Sequence, residues 1–476
     1  MSDSTAATTT AAAAQPALAL VAGSTEVALD RYPEGVLLDF GTHIVAGKSA
    51  IEVRATRKSY GDPIVANQLV GGKSKALPEG SVTDFAGLAK FLHVTITDAT
   101  GKLVLDRDQS FCLNGGGART RPDAPATSPY PEGCGNNPFT LGAVWGLQAG
   151  WSASTLDYSE NSVANLLAGK YTAKISINKS YLDFFKVTAS SVNLNLTVKD
   201  ATNCAVRGCL AAARKTAAGL SVAPKPNAPK PNAARPTGKA SVPAGPKPDL
   251  RPLPAWQIFV GPGETGTPDA DRDFLQFAAN VWNAGPSPLV LDGFRQQGKD
   301  LMDAYQYFYD NNGKQVGYQQ TGTMEWDARD GHNHWHFTDF ARYSLLNSSQ
   351  SEVVRSQKEA FCLAATDAID YTAKNANWHP YNTDLHTACG DHGSLSVREV
   401  LDVGSGDTYM QTLPGQSFDV TDLKNGTYYV EVVANPEKRL FESNVNNNVS
   451  LRKVILGGTL HHRTVQVPPV QLVDAP

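Results

Sequence analysis

Histidine is scarce in this chain, with ten in 476 residues, and so are cysteine (six) and methionine (four). No run of about 18 apolar residues occurs, which excludes a membrane-spanning helix. Lys and Arg total 42 against 46 Asp and Glu, a net charge of -4. That balance offers nothing to nucleic acid or to an acidic membrane surface, so neither is expected as a partner. There is no Cys-x-x-Cys pair, which argues against a zinc ribbon or a thioredoxin-type site. No Lys or Arg precedes Arg31, so the opening "MSDSTAATTTAAAAQPALALVAGS" lacks the basic start of a secretory signal. Residues 1–25 read as a disordered leader or the trimmed remnant of an export signal. Strands do not alternate regularly with helices, which makes a doubly wound parallel sheet improbable.

Turn formers are plentiful: Gly 41 and Pro 29 imply many short strands. The length suggests two or three domains. One boundary is plain. "SVAPKPNAPKPNAARPTGKASVPAGPKPDLRPLP" repeats Lys-Pro and has almost no large apolar residue. Proline favours an extended, semi-rigid spacer. The expected organisation is a leader over 1–25, an N-terminal Ig-like β-sandwich over 26–210, a Pro/Lys/Ala-rich linker over 211–245 and a second domain over 246–476. The fold class is all-β: two sandwich-like domains, the second rich in loops. In the first, "FLHVTITDATGKLVLD" reads as a hairpin about Ala99-Thr100-Gly101. "YTAKISI" and "SVNLNLTV" alternate, with Val192, Leu194, Leu196 and Val198 on one face, as in an antiparallel sandwich. In the second, "YQYFYDNNGKQVGY" is a hairpin about Asn311-Asn312-Gly313, "TYYVEVVANP" is a strand, and "VVRSQKEAF" is a rare candidate for helical turns.

The six cysteines fall as local pairs: Cys112 with Cys134, Cys204 with Cys209, and Cys362 with Cys389. An even, locally grouped set suggests disulfides and an oxidising, extracellular compartment.

Against the scarcity of histidine stands "DGHNHWHFTDF", which places His332, His334 and His336 at alternate positions. On a strand these share one face, and Trp335 and Phe337 face the other. Three imidazoles on one face suit copper or zinc. A flat strand would put the outer Cα atoms ~13 Å apart. Metal–nitrogen bonds are only about 2 Å long. The ribbon must therefore bend for all three to converge. His461 and His462 are adjacent and point to opposite faces, and His379, His386 and His392 lie in polar segments without an assigned role.

"GHNHWHF" resembles the His-x-His-x-His copper motif of the lysyl oxidase family. "SQKEAFCL" is similar to the family segment in which a lysine precedes a small-Phe-Cys-Leu block. "DTYMQTLPGQSFDVTDLKNGTYYVEVVANPEKRLFESNVNNN" resembles the family's Asp-Thr-Tyr stretch and the Asn-rich run downstream of it. "PDLRPLPAWQI" is similar to the family's opening Pro-Asp-Leu. The resemblance runs from Pro248 to about Val470.

It implies that His332, His334 and His336 ligate Cu(2+), and that Lys358 and Tyr409 combine into lysine tyrosylquinone. It also implies a Ca(2+) site from Asp249, the backbone of Leu250, Glu442, Asn444, Asn447 and Asn448. The implied activity is oxidation of a primary amine, free or in a lysine-containing protein, by dioxygen to an aldehyde, with release of ammonia and hydrogen peroxide. Asp339, soon after the histidines, is the candidate proton-abstracting base. The sequence departs from the family in having few cysteines here, in carrying Asn444 for an aspartate, and in a "TDF" segment one residue short. Losing that charge weakens the calcium site.

The residues account for such chemistry by themselves. No amino-acid side chain carries the carbonyl needed to condense with an amine. An oxidised tyrosine supplies one, and a buried, neutral lysine can add to its ring. Lys358 and Tyr409 are 409 − 358 = 51 residues apart, so their bond would also close a long loop. Two other readings compete: a non-enzymatic copper-binding or adhesive sandwich protein, and a mononuclear metal hydrolase that uses the histidine row alone.

Overall fold

The computed structural model describes residues 18–135, 137–156, 162–187, 190–202, 234–263, 266–329, 332–356, 360–380, 389–411 and 415–476. The chain divides into two compact units. The first comprises Met1–Thr56, Ile64–Asn136 and Ala143–Ala223; the second comprises Arg57–Pro63, Asn137–Gly142 and Pro224–Pro476. Both are built from β-sheets, and among the described residues the one α-helix is Lys179–Phe185.

The first unit holds a seven-stranded sheet and two of four strands. Its hairpin pairs Leu88–Asp98 with Leu103–Phe111. Asp98 shapes the turn, accepting the amides of Thr100 and Lys102 at 2.9 and 3.0 Å, and Gly101 adopts φ +84°. Leu194, Leu196 and Val198 are buried, as their alternation requires, and Val192 is half-buried. One pairing differs from the antiparallel expectation: Ser191–Asp200 runs parallel to Glu26–Tyr32. The long chain between them supplies the crossover that a parallel pair needs. Within the segment 1–25 expected as a disordered leader, the first described residues form a strand. Leu18–Ala22 is a strand paired with Thr42–Ala46, with Leu18 and Leu20 buried, because alternate leucines there can cover the core.

The second unit contains two six-stranded sheets and one of five strands. The first six-stranded sheet runs in the order Ala360–Phe361, His334–Thr338, Gln315–Asp327, Leu301–Tyr309, Leu289–Arg295, Ser396–Leu401. Its hairpin turn is built as the sequence suggests. Asp310 accepts the amides of Asn312 and Lys314 at 2.9 and 3.0 Å, and Gly313 adopts φ +75°. The second sheet centres on Asp273–Asn283, which pairs with Ser405–Tyr409. The five-stranded sheet includes Ala341–Leu346 and Gly426–Ala434. Met324, Trp335, Phe337, Phe361, Phe418 and Val430 meet in one core.

The helical turns expected in "VVRSQKEAF" do not form in its first residues. Glu352–Arg355 is a strand on the edge of Ala341–Leu346, where the β-branched pair Val353 and Val354 fits the ladder better than a helix. The end of the expected linker also packs onto this unit: the Ser241 amide donates to the Tyr318 carbonyl at 2.9 Å, and Arg235 pairs with Asp303. The disulfides Cys112–Cys134 and Cys362–Cys389 are both formed. The expected pair Cys204–Cys209 lies outside the described residues.

Candidate metal centre and redox site

The histidine strand begins at His334, not at His332. Asn333 adopts φ +52°, in the left-handed region, and the His332 amide donates to the Arg329 carbonyl at 3.0 Å. Asparagine tolerates that conformation better than most residues. This kink folds His332 back over the strand. Nitrogens of His332, His334 and His336 all lie within 4.8 Å of one another. His332 Nδ1 is 3.4 Å from His336 Nε2. His332 and His336 are buried, and His334 is half-exposed.

The register explains what lies behind the row. Gln315–Asp327 pairs with the histidine strand so that Asp327 faces His334 and Glu325 faces His336. Directly opposed residues share a face. Asp327 Oδ2 sits 3.3 Å from Nδ1 of both His332 and His336. Burial opposes its charge. The Arg329 guanidinium, bonded to it through Nε at 2.9 Å, and the nearby His336 prevail, holding the carboxyl well below the usual carboxylate range. With Nδ1 of His336 turned to a carboxylate, its Nε2 is directed at the cluster. On the other face Trp335 and Phe337 are buried, and Trp335 Nε1 donates to the Asp391 carbonyl at 2.9 Å.

Tyr409 ends the strand Ser405–Tyr409 and is 8% exposed. Its hydroxyl donates to the Cys362 carbonyl at 2.7 Å, and its ring meets Phe361 edge-on at 4.6 Å between centroids. Burial pushes the phenol well above its ordinary pKa, and the carboxyls of Asp407 and Glu399 push the same way. Asp407 and Tyr409 are two apart on one strand and so share a face. Glu399 is fully buried on Ser396–Leu401, with Oε2 accepting the Leu363 amide at 3.0 Å. The segment touching Tyr409 also pairs with the histidine strand, Phe361 opposite Phe337 and Ala360 opposite Thr338. Lys358 lies outside the described residues, two positions before Ala360.

Asp339 follows the histidine strand with φ +60°, and its carboxylate accepts from Arg439 Nη1 at 2.7 Å. It borders a small polar pocket with Arg342, Arg355 and Glu437. Asp249, Leu250, Glu442, Asn447 and Asn448 come together elsewhere in the unit. Glu442 accepts the Leu250 amide at 2.9 Å and the side-chain amides of Asn435 and Asn448 at 2.7 Å each; Asp249 accepts from Asn447 at 3.0 Å and pairs with Arg251. Asn444 caps its own loop through the Asn446 amide.

Sequence reasoning passed over Asp327, Asp407, Glu399, Asn435 and Arg251. Asp407 could have been found from its spacing to Tyr409. Asp327 becomes a neighbour of the histidines only through cross-strand register, and Glu399 beside Arg398 reads as a surface charge pair.

A family model described as lysyl oxidase matches residues 294–465, which include the histidine row, Lys358 and Tyr409. The C-terminal region carries a lysyl oxidase domain. The chain is 29% identical over 142 residues to lysyl oxidase homolog 2 of Xenopus tropicalis, covering 29% of this chain and 16% of that protein. It is 30% identical over 131 residues to lysyl oxidase homolog 4 of Homo sapiens, covering 27% of this chain and 15% of that protein. It is 32% identical over 129 residues to lysyl oxidase homolog 2A of Danio rerio, covering 27% of this chain and 16% of that protein. The likeness to these relatives is thus confined to a small part of each. Asp249 and Leu250 lie before the region that the lysyl oxidase model matches. Among the described residues, no helix is long and apolar enough to cross a membrane.

Proposed function

We propose that the protein oxidises primary amines with copper and a quinone made from its own side chains. Amine, dioxygen and water become aldehyde, ammonia and hydrogen peroxide. The observation that carries this reading is the convergence of three imidazoles within 4.8 Å, inside a lysyl oxidase domain. His332, His334 and His336 hold the Cu(2+), since clustered, largely buried imidazoles are a donor set that copper favours. When present, copper and dioxygen supply the oxidising power for Tyr409, and the lysine tyrosylquinone of Lys358 and Tyr409 supplies a carbonyl that condenses with the amine.

The remaining roles belong to the protein. Asp327 orients two of the imidazoles. The Cys362 carbonyl holds the Tyr409 hydroxyl, and Phe361 keeps water from its ring. Asp407 is the acceptor nearest in sequence for the phenolic proton. Asp339 is the base candidate for the substrate, steadied by Arg439. Ala360–Cys362, in contact with Tyr409, follows Lys358 by two to four positions, which supports their pairing.

The reading extends to Ca(2+) at Asp249, Leu250, Glu442, Asn444, Asn447 and Asn448. Asn447 Oδ1 and Asn448 Oδ1 are buried without a hydrogen-bond partner, and amide oxygens beside carboxylates suit a hard cation. Arg251, bound to Asp249, competes with it. The substrate is a primary amine or a lysine-containing protein, and the two disulfides fit a secreted protein. The N-terminal unit serves as a structural or adhesive module. A second reading, copper binding without a quinone, draws on Tyr409 being a well-packed tyrosine with its hydroxyl satisfied.

One experiment separates the two. Metal-free protein is given copper and air, and the peptide bearing Tyr409 is weighed and stained for quinone. A lysine–tyrosine linkage, with peroxide formed from amines and lost in Tyr409→Phe, is the expected result. An unmodified Tyr409 refutes the oxidase.

A further inference from the structure

Resting on the oxidase reading, we propose that Glu399 is a positioning residue for Tyr409, acting through the Cys362–Leu363 peptide. One peptide unit makes both bonds. Its carbonyl accepts the Tyr409 hydroxyl at 2.7 Å, and its N–H donates to Glu399 Oε2 at 3.0 Å. In a trans peptide the C=O and N–H point to opposite edges of a rigid plane. Fixing the N–H edge therefore fixes where the carbonyl meets the phenol. Bonds in such a chain also polarise one another, so an acceptor on the N–H strengthens the carbonyl.

Glu399 also sits where an acid needs partners, and the Leu363 amide is one of them. Its neighbours Val397, Val400 and Leu401 are all buried apolar residues, and an acid among them is costly. Arg398 does not balance it: that guanidinium is committed to Asp292, both side chains fully buried, and adjacent strand residues face opposite ways. Ser396–Leu401 and Ala360–Phe361 are the two edges of the same six-stranded sheet. The Glu399–Leu363 bond ties one edge to the chain just beyond the other. Tyr409, Phe361 and Leu363 are packed at that junction, and Cys362 is further held by its disulfide to Cys389. Burial first, and Asp407 as well, push the Glu399 carboxyl well above its usual range. Glutamine is the near-isostere of its protonated form. The groups facing this junction are Asp407 on the strand of Tyr409, Tyr343 on Ala341–Leu346, and the backbone amides of Leu363 and of Phe337 on the histidine strand.

The test uses the full-length, metal-free protein with tyrosine labelled with carbon-13 at Cζ, the Tyr409 signal being identified by Tyr409→Phe. Glu399→Gln keeps an acceptor for the Leu363 amide; Glu399→Met and Glu399→Leu do not. The expected result is an unchanged Tyr409 signal in Glu399→Gln and a shifted or broadened one in both apolar variants, with copper affinity at the histidines equal throughout. On adding copper and air, Tyr409 oxidises at the wild-type rate in Glu399→Gln and roughly tenfold more slowly in Glu399→Met, the weight of one hydrogen bond. An unmoved Tyr409 signal in the apolar variants overturns the proposal. A wild-type protein that never oxidises Tyr409 refutes the oxidase reading instead, and the carbon signal still decides the role of Glu399. Should neither apolar variant fold, hydrogen exchange at the Leu363 amide decides: slow exchange in wild type and Glu399→Gln supports the clamp, and fast exchange in wild type refutes it.

Discussion

Asp327→Ala isolates how the protein orients the histidines proposed to hold copper. The carboxylate lies 3.3 Å from Nδ1 of two histidines and is only 7% exposed, so no water can readily replace it. Outer carboxylates of this kind fix the ring orientation and raise ligand basicity, and losing one costs about 10–100-fold in metal affinity. That range corresponds to about 1.4–2.7 kcal/mol. The upper end is expected here, because one carboxylate serves two of the three imidazoles. The loss of its pair with Arg329 should add little, since that guanidinium is about half exposed. Copper affinity is measured by competition with a chelator at neutral pH, beside a thermal melt of the metal-free protein to show that the fold survives. Binding within about twofold of wild type in a folded variant would mean that the histidines need no orienting partner, and the second layer assigned to Asp327 would be wrong.

His334 is half-exposed, so His334→Ala should leave stability within roughly 1 kcal/mol of wild type while ending copper-dependent oxidation of Tyr409; wild-type quinone content in the variant contradicts the ligand assignment. Replacing Cys362 and Cys389 together by alanine opens a cross-link between residues 27 apart, which should cost about 3–4 kcal/mol in urea unfolding on the chain-entropy argument; a loss under about 1 kcal/mol would refute the entropic account. Glu399 has a native pKa raised above its ordinary value of 4.5. Its stabilising contribution is therefore complete below that value and is lost as pH rises through the native one. Glu399→Gln cannot ionise, so the metal-free variant should gain on wild type as pH climbs from about 5. Parallel urea midpoints across that range would show that Glu399 ionises in the native state as freely as in the unfolded chain.

Much of the second unit was legible because its signals are local. The hairpin at Asp310–Gly313 follows from turn chemistry acting over four residues. The strand "TYYVEVVANP" follows from period-two alternation, and the bend in the histidine row follows from the shortness of a metal–nitrogen bond. The strand at Glu352–Arg355 was not legible, because one helical turn and one short edge strand differ in sequence only weakly, and a neighbour on one side decided it. The parallel pairing of Ser191–Asp200 with Glu26–Tyr32 could not be read at all, since nothing local distinguishes a parallel partner from an antiparallel one.

The sequence alone determined the chemistry on offer: three imidazoles in one short ribbon, a tyrosine after an Asp-Thr pair, a lysine before Phe-Cys-Leu, and cysteines close enough to pair. These depend on residue type and short spacing, which the chain carries wherever it goes. Only the tertiary structure decided which acids serve them. Asp327 reaches the histidines by cross-strand register, and Glu399 reaches the peptide beside Tyr409 because two edges of one sheet come together. Such neighbours are set by packing among residues far apart in the chain, and packing leaves no mark on spacing.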